Sequence, residues 1–179
     1  MYDYGELVRA WKKFLKDFDS DATMGAMLVP PGRAFDIMDY RLYKWPGHGI
    51  PESAMSYQAV EGERLKPEEY DQFIEDPSDY WLRTFFPRIF GALEGFSQLP
   101  ALRSFEEISP AALIPFGLPD VQKGLQALLE AGQEAMKWAQ AAGEVSAEAL
   151  ALGYPGMAGG LAKAPFDTLG DTLRGTQGI

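Results

Sequence analysis

The segment from Asp120 to about Ala142 constrains this chain more than any other. Val121, Leu125, Leu128, Leu129, Met136 and Ala139 recur at helical spacing and trace one stripe. Pro119 and Asp120 suit the start of a helix, and Gly143 suits its C-terminal stop. Ser146 is then an N-cap for a short further helix to Leu152. A long helix with an apolar stripe must lay that stripe on another element, so the stripe is expected in the core. The rest of the chain has to supply the surface.

Most of that remainder also reads as helix. Leu7, Trp11, Phe14, Leu15 and Phe18 share one face of a helix over 4–18, with Lys12, Lys13 and Lys16 elsewhere around it. Thr23 to Val29 is a candidate strand, stopped by Pro30 and Pro31, and Gly32 to Tyr40 a short helix. Residues 41–66 read as strand and loop, with a short strand at Ser56 to Val60. Pro67, Glu68 and Glu69 open a helix to about Ile74, and Asp76-Pro77 opens another. Trp81, Leu82, Phe85, Phe86, Ile89 and Phe90 give that second helix a strongly apolar face, bent at Pro87. Their helical spacing points to core packing rather than a flat cofactor surface. Residues 95–119 are irregular, Met157 to Ala162 suits a strand-like passage, and Pro165 to Arg174 a last helix. No repeat and no linker divides the chain, so residues 1–179 are expected to form a single domain.

Charge and composition exclude several classes. The formal net charge is -10, which repels phosphate backbones and anionic lipid heads, so neither nucleic acid nor membrane is an expected partner. There is no cysteine, hence no disulfide framework and no thiolate metal site in these residues. The N-terminus has charge scattered through it and does not read as a secretory signal. No stretch approaches the roughly 20 apolar residues of a membrane span. A cytoplasmic protein is the expectation. No phosphate loop, nucleotide fingerprint, serine nucleophile elbow or zinc-helix motif is present.

Three segments carry a resemblance: DYRLYKWPGHGIPESAMSYQAVEGERLKPEEYDQFIEDPSDYWLRTFFPRIFGALE at 39–94, GLPDVQKGLQALLEAGQEAMKWAQ at 117–140, and GGLAKAPFDTLGDTLRGTQGI at 159–179. Through KWPGHG, VEGE and DPSDYWLR the chain resembles an uncharacterised subgroup of the uroporphyrinogen decarboxylase superfamily, which also contains the methylcobamide:coenzyme M methyltransferases. The resemblance implies an α/β fold, a (β/α)8 TIM barrel preceded by extra helices. Such a barrel takes about 250 residues. The chain is therefore expected to be the helix-rich N-terminal portion of an incomplete barrel, with few strands and no activity alone.

Two reactions follow from the resemblance, and a third reading stands apart from it. Corrinoid-dependent methyl transfer leads, because the arginine-rich segment MRQAGR that binds carboxylates in true uroporphyrinogen decarboxylases is absent. Tetrapyrrole decarboxylation is the alternative, and a non-enzymatic helical binding module the third. No cofactor or metal is expected within this chain. Zinc, held through a His-x-Cys pair and a later Cys, and a corrinoid belong to the expected full-length parent. Its partners would be a small-molecule or corrinoid-borne substrate, a corrinoid protein and, as a homodimer, a second copy.

Few residues present themselves for chemistry. His48, the single histidine, sits between glycines that let backbone approach a ligand, and imidazole can move a proton. A loop histidine bonded to a carbonyl is the plain alternative. Glu61 and Glu63 would share a face after a strand, and a carboxylate pair can act as acid and base if burial separates them; a solvated face is the plain alternative. Glu61 joins His48 as catalytic candidate. Lys44, Lys163, Asp167 and Arg174 are the candidates for substrate binding. Lys163 precedes a turn into a helix, where anions are favoured, and Asp167 would complement the helix dipole.

Overall fold

The computed structural model describes residues 1–155, apart from 19, 24, 55 and 106–109. The expected strand-like passage at Met157 to Ala162 and helix from Pro165 lie outside them. The chain is mixed α/β and mostly helical. Seven α-helices and one small three-stranded sheet are present among the described residues. By their contacts the residues group into two units, each described by itself. One contains Met1–Ile37 and the described part of Leu128–Leu161; the other contains Met38–Ala127.

In the first unit, α1 spans Tyr4–Asp17, and Asp3 caps it by accepting from the Glu6 amide at 2.9 Å. Its partner is the C-terminal part of the 33-residue helix α7, Pro119–Ala151. Leu7 and Leu15 pack with Ala26, Ala142, Val145 and Ala149, and Trp11 and Trp138 flank them. The two helices run in the same direction, because Tyr4 meets Glu134, Lys12 meets Glu144 at 2.6 Å and Lys16 meets Glu148 at 3.6 Å. Parallel macrodipoles repel, and lysines facing glutamates offset that repulsion. The Tyr154 hydroxyl donates to the Leu15 and Phe18 carbonyls, satisfying acceptors that the end of α1 leaves open. Helix α2 covers Gly32–Met38.

Three expectations fail here. Thr23 to Val29 is not a strand: Gly25, at φ 71°, turns the chain into a 3-10 turn at Ala26–Leu28. α7 does not stop at Gly143. Ser146 bonds back to the Ala142 carbonyl at 3.0 Å inside the helix instead of capping a new one. The stripe that begins at Val121 is not core throughout. Val121 is buried, but Leu129 is 57% and Met136 68% exposed. The face that α7 buries in this unit is the one carrying Ala131, Ala142, Val145 and Ala149.

The second unit holds the sheet, in the order β2-β1-β3. β1 is Tyr43–Pro46, β2 Gly49–Ile50 and β3 Gln58–Ala59. β1 pairs antiparallel with β3, Tyr43 opposite Ala59, and parallel with the two residues of β2, Trp45 opposite Gly49. A run of short helical elements follows. α3 is Tyr70–Glu75, α4 Pro77–Tyr80 and α5 Phe86–Ile89. Asp76 caps α4 through the Asp79 amide at 3.0 Å, with Pro77 in the first turn.

Between α4 and α5, Trp81–Phe85 is a π turn. Pro87 explains it. A proline has no amide to donate, and its ring crowds the carbonyl four residues back. The preceding turn widens, and the Phe86 amide reaches the Trp81 carbonyl five residues back. The aromatic face lies inward, as its spacing predicts. Leu65, Tyr80, Phe85 and Ile89 form a core flanked by Trp81, Phe86 and Phe90. A 3-10 stretch, Gly91–Gln98, then packs on the first turns of α7, where a Cβ on Gly95 would strike the Asp120 carbonyl at 2.5 Å. α6 is the short Pro110–Leu113. No helix among the described residues is long and apolar enough to cross a membrane.

Candidate functional site

β1 runs into the Gly47-His48-Gly49 turn, whose two glycines both sit at φ 80°, a backbone region that favours glycine. The turn is tied to the strand end by reciprocal backbone bonds. Trp45 donates to the His48 carbonyl at 3.0 Å, and His48 to the Trp45 carbonyl at 2.7 Å. The imidazole stacks on the indole of Trp45, ring centres 4.0 Å apart and planes within 6°. Trp45 is 1% exposed, so one face of His48 lies on a buried wall. Lys44 is exposed, and its aliphatic stem lies over Gly49, where a Cβ would meet its Cγ at 3.0 Å. Lys44 and His48 therefore share one tight turn.

Glu61 does not join them. The Val60 amide donates to the Leu42 carbonyl at 2.8 Å, which places Glu61 beyond the opposite end of β1 from His48. β3 ends at Ala59, so strand alternation never reaches Glu61 and Glu63, and both are exposed. Gly62 makes room for the Arg64 guanidinium, whose Cζ a Cβ would meet at 2.8 Å. Arg64 donates to the Val60 carbonyl at 3.1 Å, while its Nε is buried with no hydrogen-bond partner. Lys163, Asp167 and Arg174 lie outside the described residues.

The densest polar cluster is one the sequence did not reveal. Arg88 donates to both carboxylate oxygens of Glu69, to the Arg64 carbonyl at 2.7 Å and to the Tyr80 hydroxyl at 3.1 Å. Tyr80 is fully buried and donates to Glu69 at 2.9 Å and to the Arg64 carbonyl at 3.2 Å. Glu69 also accepts from the Lys66 amide at 2.9 Å, closing a capping box. The Arg88 bonds, aided by the Lys66 amide and Tyr80, outweigh desolvation and hold Glu69 down at about 2. Burial first, then Glu69, pushes Tyr80 well above the usual phenol range.

A second pair lies nearby in sequence. Arg83 grips Asp79 through Nε at 2.6 Å and Nη2 at 2.7 Å, and also donates to the Leu99 carbonyl at 3.1 Å. Asp79 and Arg83 are four apart on a helix, so their spacing was a usable signal. Glu69 and Arg88 are 19 apart and share no pattern.

These groups suit scaffolding better than proton transfer. Glu69 stays ionised and Tyr80 protonated across the neutral range. Among the described residues no three His, Asp or Glu side chains converge to hold a metal ion. No family model, curated protein or solved structure matches the chain.

Proposed function

We propose that residues 39–140 form part of the entrance wall of a (β/α)8 barrel enzyme similar to the uroporphyrinogen decarboxylase superfamily, an incomplete TIM barrel in this chain. One observation carries the reading. Two motifs of the first resembling segment are joined directly: the Arg64 carbonyl, just past Val60-Glu61-Gly62-Glu63, accepts from Tyr80 of the Asp76 to Arg83 segment. Such residues would build a wall, with most of the reacting groups elsewhere in the parent polypeptide. His48 with Lys44 would face the barrel mouth as the contribution of this region to substrate handling. Lys163, Asp167 and Arg174 stay with the same proposal as anion contacts, and Glu61 as a second proton-transfer group.

Corrinoid-dependent methyl transfer is the reaction proposed, since the carboxylate-binding arginine segment of the decarboxylases is missing. Zinc, a corrinoid protein, a homodimeric parent and a cytoplasmic location belong to that proposal. The source gene tests it. A reading frame continuing past Ile179 with a His-x-Cys pair and a later Cys supports methyl transfer. A continuing frame without them selects tetrapyrrole decarboxylation. A stop codon directly after Ile179 overturns the barrel reading.

The exposed Leu129 and Met136 favour a second reading, a helical binding module without chemistry. A cooperative thermal transition of the purified chain, with little binding of a hydrophobic dye, supports it. An expanded, dye-binding chain sinks it.

A further inference from the structure

β1 and β3 bring two tyrosines together. Tyr43 stands opposite Ala59 and Lys44 opposite Gln58, so continuing the register by one residue sets Tyr57 opposite Trp45. Tyr57 is therefore the diagonal neighbour of Tyr43 on one face, while Lys44 and Gln58 take the other. The residue directly opposite Tyr43 is the small Ala59, which leaves the diagonal open to a large side chain. The two rings meet edge to face, centres 5.6 Å apart and planes at 89°. Tyr57 is 51% exposed and Tyr43 half-buried, so a reagent in solvent reaches one ring and, through it, the other.

Neighbouring tyrosines lack one condition or another. Tyr40 lies 5.9 Å from Tyr43, but it is held by stacking on Phe90 at 5.2 Å. Burial, and then Tyr43, pushes the Tyr40 phenol up to about 12, which opposes loss of its proton. Tyr80 is fully buried. The chain has no cysteine, so no thiol competes for an oxidant and no disulfide can tie these strands.

We infer that Tyr43 and Tyr57 form an oxidative cross-linking site, where a peroxide-derived one-electron oxidant joins the two rings as dityrosine. Tyr57 gives up an electron and its phenolic proton and becomes a phenoxyl radical. Contact with Tyr43 lets that radical pass inward, and a second oxidising equivalent renews it at Tyr57. The radicals couple through ring carbons ortho to their oxygens, and the hydrogens on those carbons move to the oxygens, restoring both phenols. One carbon–carbon bond replaces two carbon–hydrogen bonds, and the two electrons and two protons released reduce one peroxide to two waters. An edge-to-face pair has to turn before the two ortho carbons meet, and the exposed ring of Tyr57 has the room. Proximity within one chain favours this bond over coupling between molecules, and a net charge of -10 keeps copies apart. The bond closes residues 44–56, the His48 turn among them, into a loop, which stabilises the fold by restricting the unfolded chain. The inference does not depend on the enzymatic reading.

Treating the dilute whole chain with a haem peroxidase and limiting hydrogen peroxide tests it. The monomer should gain dityrosine fluorescence and lose the mass of two hydrogens. A peptide map should join the Tyr43 peptide to the Tyr57 peptide, and the cross-linked chain should have a higher thermal midpoint. Tyr57→Phe and Tyr43→Phe keep the ring packing but remove a phenol, so each should lower the dityrosine yield of the monomer at least about tenfold. Tyr40→Phe should leave the yield unchanged. The same treatment in urea should lose the preference for this pair. A folded wild type that forms no dityrosine within the monomer, a bond mapped to another pair, or a yield indifferent to Tyr57→Phe overturns the proposal. A cross-linked chain that melts no higher than the untreated one overturns its role as a staple.

Discussion

The two units are held together by different means. In Met38–Ala127 an aromatic core is joined by partly sheltered polar bonds: Glu69, Tyr80 and Arg88 satisfy one another and the Arg64 carbonyl, and Arg83 binds Asp79 and the Leu99 carbonyl. In the unit of α1 and the end of α7 the core is a narrow apolar seam of leucine against alanine and valine. Its ion pairs, Lys12 with Glu144 and Lys16 with Glu148, stand largely in water. The same residue types therefore carry different energetic weight. A charge deleted from a sheltered cluster strands its partners, whereas a charge deleted from a wet surface is replaced by water.

The sharpest way to break this contrast is Arg88→Met. It should cost about 3 kcal/mol or more, because Glu69 is left ionised and partly buried without its partner. Urea denaturation followed by Trp45 and Trp81, with Trp11 and Trp138 replaced by phenylalanine, reads this unit. A loss below about 1 kcal/mol would end the distinction. Leu15→Ala should cost the other unit about 2.5 kcal/mol, read through Trp11 and Trp138 with the complementary replacements.

Acid gives the next effect. Glu69 ionises at about 2 in the folded protein, against about 4.3 in an unfolded chain. Its contribution is therefore complete above the unfolded value and disappears as pH falls from about 4.3 toward 2, a change on the order of 2 kcal/mol. Denaturation midpoints at a series of acidic pH values, compared with Glu69→Gln, isolate that slope; identical slopes would mean the bonds are not formed. Lys12→Ala should be the smallest change, and smaller still at high salt.

What the sequence disclosed follows from how far each signal reaches. The aromatic face from Trp81 to Phe90 was legible, because its spacing is local and it buries one side; the face of α1 was legible at Leu7, Trp11 and Leu15, whereas Phe14 and Phe18 stay exposed. The end of α7 was not legible. Gly143 and Ser146 are stop and start residues in isolation, but an exposed helix interior tolerates both. Periodicity also located the stripe on α7 without telling which of two apolar sides the chain itself would bury. The π turn needed Pro87 and the i−5 bond together, whereas a bend was all that proline alone foretold. At the candidate site, glycines marked the His48 turn, but its stacking on Trp45 depends on how β1 closes. The Glu69, Tyr80 and Arg88 cluster joins residues whose separations carry no repeat, so only the folded chain brings them together.

The π turn has a consequence for how this region can change length. Each residue added to or removed from a helix rotates everything beyond it by about 100°. Arg88 lies just past the widened turn, and Tyr80 just before it. A one-residue insertion between them would swing the guanidinium off its carboxylate while leaving composition and hydrophobicity almost untouched. The widened turn already holds one residue more than an α turn, so it can give one up but not take another.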